Sequence, residues 1–280
     1  MLDKRIDEFI FENHLGQRFE GLPNGVYLNA SDLRNYSWSY ETINNRISRF
    51  FRGIKNRKIP LVVYCKSGDE AVSVMNRLHE LAEADIVAEI PGKIFVGDYY
   101  TIGYITASAK SSYLTRRKYC KIELTLTSDD PVWYREQSYT FLPYTGNEIG
   151  SGGGVDYPYN YPYDYTLSLN GRKIVCNSVW SSAFRLRIYG EATNPAVIIN
   201  GHTYTVNGTI GKMETLLIDS TNKTITLTTA AGKKINWFDK RGREEYIFEP
   251  IPAGQSTVTW AGNFGFDLTV VEKRSEPKWT

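Results

Sequence analysis

The chain has 280 residues, 41% hydrophobic and 14% aromatic, which is too apolar for disorder and enough for two cores of ordinary size. Its formal net charge of +2, one in each half, creates no field directed at nucleic acid or acidic lipid. Residues 1–8 are charged where a secretion signal needs an apolar run, and no stretch reaches the ~18 apolar residues of a membrane span, so cytoplasmic synthesis without a membrane partner is expected.

Short runs of β-branched and aromatic residues, broken by Gly, Asn and Pro about every ten residues, predict a mainly β protein. In the first half the clearest strands are residues 59–64, 99–105 and 119–126, the last alternating apolar and polar as a half-buried strand must. One helix interrupts them. Ser67-Gly-Asp-Glu70 is a capping-box pattern, followed at helical spacing by Ala71, Met75, Leu78 and Ala82, with Asn76, Arg77, Glu80 and Glu83 left for solvent. Ala84-Asp85 is expected to end it before a strand over 86–90.

A glycine tract, Gly146 to Gly154, leads into Tyr157-Pro-Tyr-Asn160 and Tyr161-Pro-Tyr-Asp164. Glycine favours a flexible joint and alternating proline an extended strap, so the expected organisation is a domain over 1–145, a linker over 146–165 and a second domain over 166–280. In the second half Asn200-Gly201 sits between β-prone flanks and predicts a type I′ hairpin. The runs 224–228, 245–248, 256–260 and 264–271 complete an antiparallel set, for which a β-sandwich is the economical architecture.

No nucleophile elbow, zinc-binding His pair, phosphate loop or dinucleotide fingerprint occurs, so no catalytic residue, cofactor or metal ligand is expected. His14, His79 and His202 are scattered. Asp129-Asp130 and Glu244-Glu245 place neighbouring carboxylates on opposite faces of a strand, which disfavours a shared catalytic site. Cys65, Cys120 and Cys176 are too widely spaced for a disulfide framework or a zinc site, and reduced buried thiols are expected. The tyrosines of 157–165 could stack on a sugar or pack along the strap.

The acid-free interval from Thr42 to Gly68 holds Arg46, Arg49, Arg52, Lys55, Arg57 and Lys58, interleaved with Ile47, Phe50, Phe51 and Ile54. The simpler expectation is a solvated strand face whose apolar partners form the core. The functional one is a contact through Arg46, Arg49 and Arg52 with a neighbouring subunit, ahead of nucleic acid, since arginine forks suit both.

Several ordered segments carry a resemblance over nearly the whole chain: Ser31-Asp-Leu-Arg-Asn-Tyr-Ser-Trp-Ser39, Asn45-Arg-Ile-Ser-Arg-Phe50, Ile90-Pro-Gly-Lys93, Gly97-Asp-Tyr-Tyr100, the run 124–133, the tyrosine-proline strap, Trp260-Ala-Gly-Asn-Phe-Gly-Phe-Asp267 and the run 272–279. Together they resemble the distal tail proteins of long-tailed bacteriophages, the siphovirus-type tail component family. The resemblance implies a β-sandwich or barrel-like N-terminal domain with one α-helix, which builds a homo-hexameric ring, single or stacked in pairs, and a galectin-like antiparallel β-sandwich projecting outward. It further implies a place in the virion tail between the tail tube protein and the tail-associated tip protein, a central channel that DNA passes through, and accessory or receptor-binding partners on the outer domain. The protein would be made in the bacterial host cytoplasm and have no enzymatic activity. The competing expectation is a carbohydrate-binding module that recognises host surface glycans through the C-terminal sandwich.

Overall fold

The structure, a computed structural model, describes residues 8–112, 118–143 and 172–279. The chain falls into two compact units, one made of Met1–Arg135 with Lys273–Thr280 and the other of Glu136–Glu272. The glycine tract and the tyrosine-proline strap, and with them the expected linker, lie outside the described residues.

Unit 1 contains β1 (Ile10–Glu12), β2 (Arg18–Glu20), β3 (Val26–Leu28), β4 (Ser39–Ile43), β5 (Arg46–Phe51), β6 (Lys55–Tyr64), α1 (Gly68–Ala88), β7 (Gly92–Val96), β8 (Tyr99–Ser112), β9 (Tyr119–Ser128) and the start of β10 (Trp133–Phe141). One antiparallel sheet runs β2-β1-β7-β8-β10 and a second runs β3-β6-β9-β8. β8 serves both, pairing with β7 over residues 99–103 and with β9 beyond a bulge between Ile105 and Ala107. A bulge bends and twists its strand, which is how one strand passes between sheets. The alternation read from β9 places Cys120, Ile122, Leu124 and Leu126 inward, opposite Ile59, Leu61 and Val63 of β6. Pro60 is tolerated inside β6 because its carbonyl accepts from Asn29 N–H just past the end of β3, so its missing donor falls where no ladder bond is needed.

The helix starts as its capping residues require: Ser67 Oγ accepts from Glu70 N–H at 3.1 Å, while the Glu70 carboxylate reaches back to Lys66 N–H at 3.0 Å. Ala71, Val74, Leu78, Leu81 and Ala82 form its buried face. The strand expected over 86–90 is overturned, because the helix continues to Ala88 and stops at Glu89 in the left-handed conformation, φ 55°. The extra turn is anchored by Asp85, a buried carboxylate that accepts from His14 N–H at 2.8 Å and meets His14 Nδ1 at 2.7 Å. β-branched Ile86 and Val87 read locally as strand, but they lie exposed on this last turn.

Unit 2 takes up the rest of β10, then β11 (Arg172–Cys176), β12 (Ala183–Tyr189), β13 (Ala192–Thr193), β14 (Ala196–Ile199), β15 (His202–Thr205), β16 (Thr209–Ile210), β17 (Thr215–Asp219), β18 (Thr224–Thr228), β19 (Lys234–Asn236), β20 (Gly254–Trp260) and β21 (Gly265–Arg274). Sheets β19-β18-β17-β12-β21-β10 and β11-β20-β14-β15 face each other as a galectin-like antiparallel β-sandwich. Leu186 and Ile188, Leu216 and Ile218, and Leu268 and Val270 point in from the first sheet, meeting Val197, Ile199, Tyr204, Val258 and Trp260 of the second. The Asn200-Gly201 turn has the two positive φ angles, 50° and 84°, that its sequence demands. The strand expected over 245–248 does not form. Glu245 instead turns its carboxylate onto Thr203 N–H and His202, Tyr246 O meets His202 Nε2, and the resulting turn drops Ile247 and Phe248 into the core.

Among the described residues no helix is long and apolar enough to cross a membrane.

Candidate subunit interface

The basic interval does not fold as one stripe. β6 alternates, so Arg57 enters the core while Lys58 points out to Glu123 at 2.8 Å. Arg57 is 1% exposed. It donates to Pro131 O at 3.0 Å and Thr101 Oγ1 at 3.3 Å, and burial pushes its guanidinium down to about 10. Lys55 turns to Asn35 O at 3.0 Å.

Upstream, β4 and β5 form a two-stranded sheet of their own in which every residue is exposed. The expectation that Ile47, Phe50 and Phe51 serve the core is therefore overturned. Asn44 and Asn45, both at positive φ (50° and 59°), make the tight turn, and that dipeptide between two β-prone runs is the signal that could have disclosed the hairpin. Tyr40 faces Phe50, Thr42 faces Ile47, Glu41 faces Arg49 and Ile43 faces Arg46. A bulge at Ser48, whose hydroxyl donates to Glu41 O at 3.1 Å, absorbs one residue. Residues three apart on a regular strand point to opposite faces, and the bulge brings them back to one. Ile47 and Phe50 thus share a face with Tyr40, while Arg46 and Arg49 share the other. Tyr40, Ile47 and Phe50 are 59%, 53% and 59% exposed. Neither Arg46 nor Arg49 has an ion-pair or hydrogen-bond partner among the described residues.

Arg52, the third arginine singled out, follows β5 and has partners within its own unit. Its guanidinium lies 4.0 Å from the Trp38 ring centroid and donates to Ser275 Oγ at 2.9 Å, with partial burial lowering its pKa. Beside it Arg34 donates to Pro277 O at 3.3 Å and stacks 4.2 Å from the Trp279 ring centroid. The last residues of the chain are therefore clasped at the root of the hairpin, since Trp38 precedes β4 and Arg52 follows β5.

The remaining motifs have local structural partners. Burial, together with the hydrogen bond that Asp130 accepts from the Tyr134 hydroxyl at 2.5 Å, holds that phenol well above its ordinary pKa. His79 pairs with Glu83 on the helix surface at 3.2 Å. Cys65, Cys120 and Cys176 are buried free thiols. Among the described residues no three His, Cys, Asp or Glu side chains converge as metal ligands would. The sugar platform considered at Tyr157–Tyr165 falls outside the described residues.

At the level of fold the chain has counterparts among phage adsorption proteins. The SPP1 Dit (gp 19.1) protein, a hub of the adsorption apparatus in phages infecting Gram-positive bacteria, superposes with a TM-score of 0.57 at 12% identity, over 95% of this chain and 99% of that one. Chains of the phage P2 baseplate in its activated conformation superpose with TM-scores of 0.62 with calcium and 0.61 with strontium, at 11% and 12% identity, over 97% of this chain and 100% of each of those. No protein-family model matches the chain, and no curated protein matches it in sequence.

Proposed function

We propose that this chain is a structural hub subunit of a bacteriophage tail, acting by assembly and not by turnover. Six copies close into a ring through unit 1, joining the tail tube protein above to the tip protein below and leaving a channel for DNA, while unit 2 carries accessory or receptor-binding partners. The observation that carries this reading is the β4–β5 hairpin, every residue of which is exposed, with Tyr40, Ile47 and Phe50 on one face and Arg46 and Arg49 on the other. Contiguous apolar surface of this kind on a folded protein marks an interaction site. A heterologous contact repeated around a closed axis yields a ring. The fold shared with SPP1 Dit and the P2 baseplate chains supports the same reading.

Light scattering and negative-stain microscopy of the purified protein test it. A six-fold ring, or two stacked, is expected, and Arg46→Glu with Arg49→Glu should shift the particle toward monomer without altering its circular dichroism. These two arginines are the informative pair, because Arg52 holds the C-terminal residues. A strictly monomeric particle at high concentration, unaffected by the reversal, would count decisively against the ring.

A further inference from the structure

The solvent face of the β3-β6-β9 sheet carries aromatic rings where strand alternation would leave small polar side chains. Tyr64 faces Tyr119; in the next row Tyr27 faces Val62, which faces Lys121; in the row after that Pro60 faces Glu123. All point away from the core, since Leu61, Val63, Cys120 and Ile122 between them are buried. Tyr27, Tyr64 and Tyr119 are 46%, 61% and 40% exposed, and none of their hydroxyls has a partner among the described residues. Beside them lies a shallow depression of about 260 Å³, floored by Pro60, Val62 and Ala109 and edged by Asn29, Lys110 and Lys121. The free charge on this face is of one sign. Glu123 is taken by Lys58 at 2.8 Å. Lys110 meets only the hydroxyl and carbonyl of Ser108, at 2.9 and 3.3 Å, and neither it, nor Lys121, nor Lys118 next to Tyr119 has a carboxylate partner among the described residues.

Exposed tyrosines offer flat apolar area with a hydrogen-bonding tip, and unpaired lysines offer point charges. A ligand that uses both has flat, partly apolar rings bearing hydroxyls, and scattered negative charge. We propose that this face of unit 1 binds an acidic polysaccharide. Its sugar rings lie on Tyr27, Tyr64 and Tyr119, and an acidic substituent settles in the depression against Lys110 and Lys121. Asn29, whose side-chain oxygen accepts from Ala30 N–H at 2.9 Å, keeps its amide nitrogen for a sugar hydroxyl. A single-stranded nucleic acid would stack on the same rings, but it brings one phosphate per nucleotide. Three lysines on a chain of net charge +2 supply little of the basic groove that tracks such a backbone. The face is separate from the β4–β5 hairpin, and the inference does not rest on the ring reading.

Binding of the labelled full chain to an array of uronate- and phosphate-bearing glycans, printed beside their neutral counterparts, tests this, with anisotropy of a short labelled oligothymidylate run in parallel. Signal is expected on the acidic glycans and not on the neutral ones or the oligothymidylate. Tyr64→Ala and Lys121→Glu should each weaken it about tenfold at unchanged thermal unfolding, both side chains being exposed. Tyr36→Ala should leave it unchanged, since that exposed tyrosine lies near the opposite end of β6, where Lys55 holds Asn35 and Ser37. Oligothymidylate binding without glycan binding, lost with the same two substitutions, would overturn the proposal in favour of nucleic acid. No binding of any probe, equal binding to neutral glycans, or an acidic signal unmoved by both substitutions would also overturn it. A change of particle size by light scattering with Lys121→Glu would instead place the face in a subunit contact. Acidic-glycan binding by a strictly monomeric particle would support the site while the ring reading fell alone.

Discussion

Arg57 occupies an inward slot of β6 that strand alternation reserves for an apolar side chain, between Ile59 and the end of the strand. It has two acceptors, Pro131 O and Thr101 Oγ1, lies 5.8 Å from the Trp133 ring centroid, and its Nε finds no partner among the described residues. With its folded pKa pushed by burial down to about 10, well below the ordinary arginine value, the buried charge costs roughly 3 kcal/mol at neutral pH. Its packing and hydrogen bonds offset that cost. Arg57→Ala should destabilise unit 1 by about 2–4 kcal/mol, read as a lower urea midpoint at unchanged slope, since it leaves a cavity and an unsatisfied buried carbonyl. The sign of the pH effect follows from the lowered pKa: from about 10 up to the ordinary arginine value the unfolded chain binds the proton and the folded one does not, so this group's contribution rises with pH there. The deficit of Arg57→Ala relative to the parent should therefore widen as pH is raised through 10. A deficit that stays flat would show that Arg57 is not desolvated. This residue was readable only as one cation among six, because spacing reveals alternation but not which alternate residue the core will accept. Gly92 is the reverse case. The Ile90-Pro-Gly-Lys93 segment acquires its reason only from the fold, where a Cβ on Gly92 would stand 2.3 Å from the Asp85 carboxylate and 2.7 Å from the Phe11 ring.

Among the elements, the hairpin depends on a segment more than 200 residues away in sequence. Ser275 holds Arg52, Arg52 lies over Trp38, and Trp38 meets the Phe50 ring edge-on at 6.4 Å. Pro277 and Trp279 hold Arg34 alongside. These contacts are partly exposed, so each is worth about 1 kcal/mol or less, and their effect is on order more than on global stability. Deleting residues 275–280 should raise amide hydrogen exchange across 38–52 severalfold while leaving β6 and β9 protected. Unchanged exchange in that window would show that the hairpin stands without the tail. Sequence reading did not foresee these contacts, because chain order says nothing about which unit a terminal segment joins. It did find β6, β8, β9, α1 and the Asn200-Gly201 turn, where local pattern and tertiary demand agree. It misread 86–90 and 245–248, where a side chain fixed by a distant partner, Asp85 to His14 and Glu245 to His202, overrode local preference.

For the whole molecule, the overlap with SPP1 Dit and the P2 baseplate chains at 11–12% identity shows how little of this fold resides in particular residues. Alternation that fills two sandwiches tolerates wholesale exchange of apolar side chains at similar volume, so architecture persists where sequence comparison fails. The same pattern made two β domains legible from the sequence, whereas an exposed hairpin was not, since alternation marks a strand without saying whether anything covers it. The two cores have no buried residue in common, one built around Phe11, Leu61 and Leu124 and the other around Leu186, Leu216 and Phe266. If unit 1 closes the ring and unit 2 presents partners, damage to the second core should leave assembly intact. Leu216→Ala, fully buried in β17, should cost unit 2 about 3 kcal/mol, while Leu61→Ala should cost unit 1 a similar amount. At a temperature where each damaged unit is partly unfolded, the Leu216→Ala protein should still form rings by negative stain and the Leu61→Ala protein should not. Loss of rings in both would place assembly in the two units jointly, and loss only with Leu216→Ala would move the ring contact to unit 2.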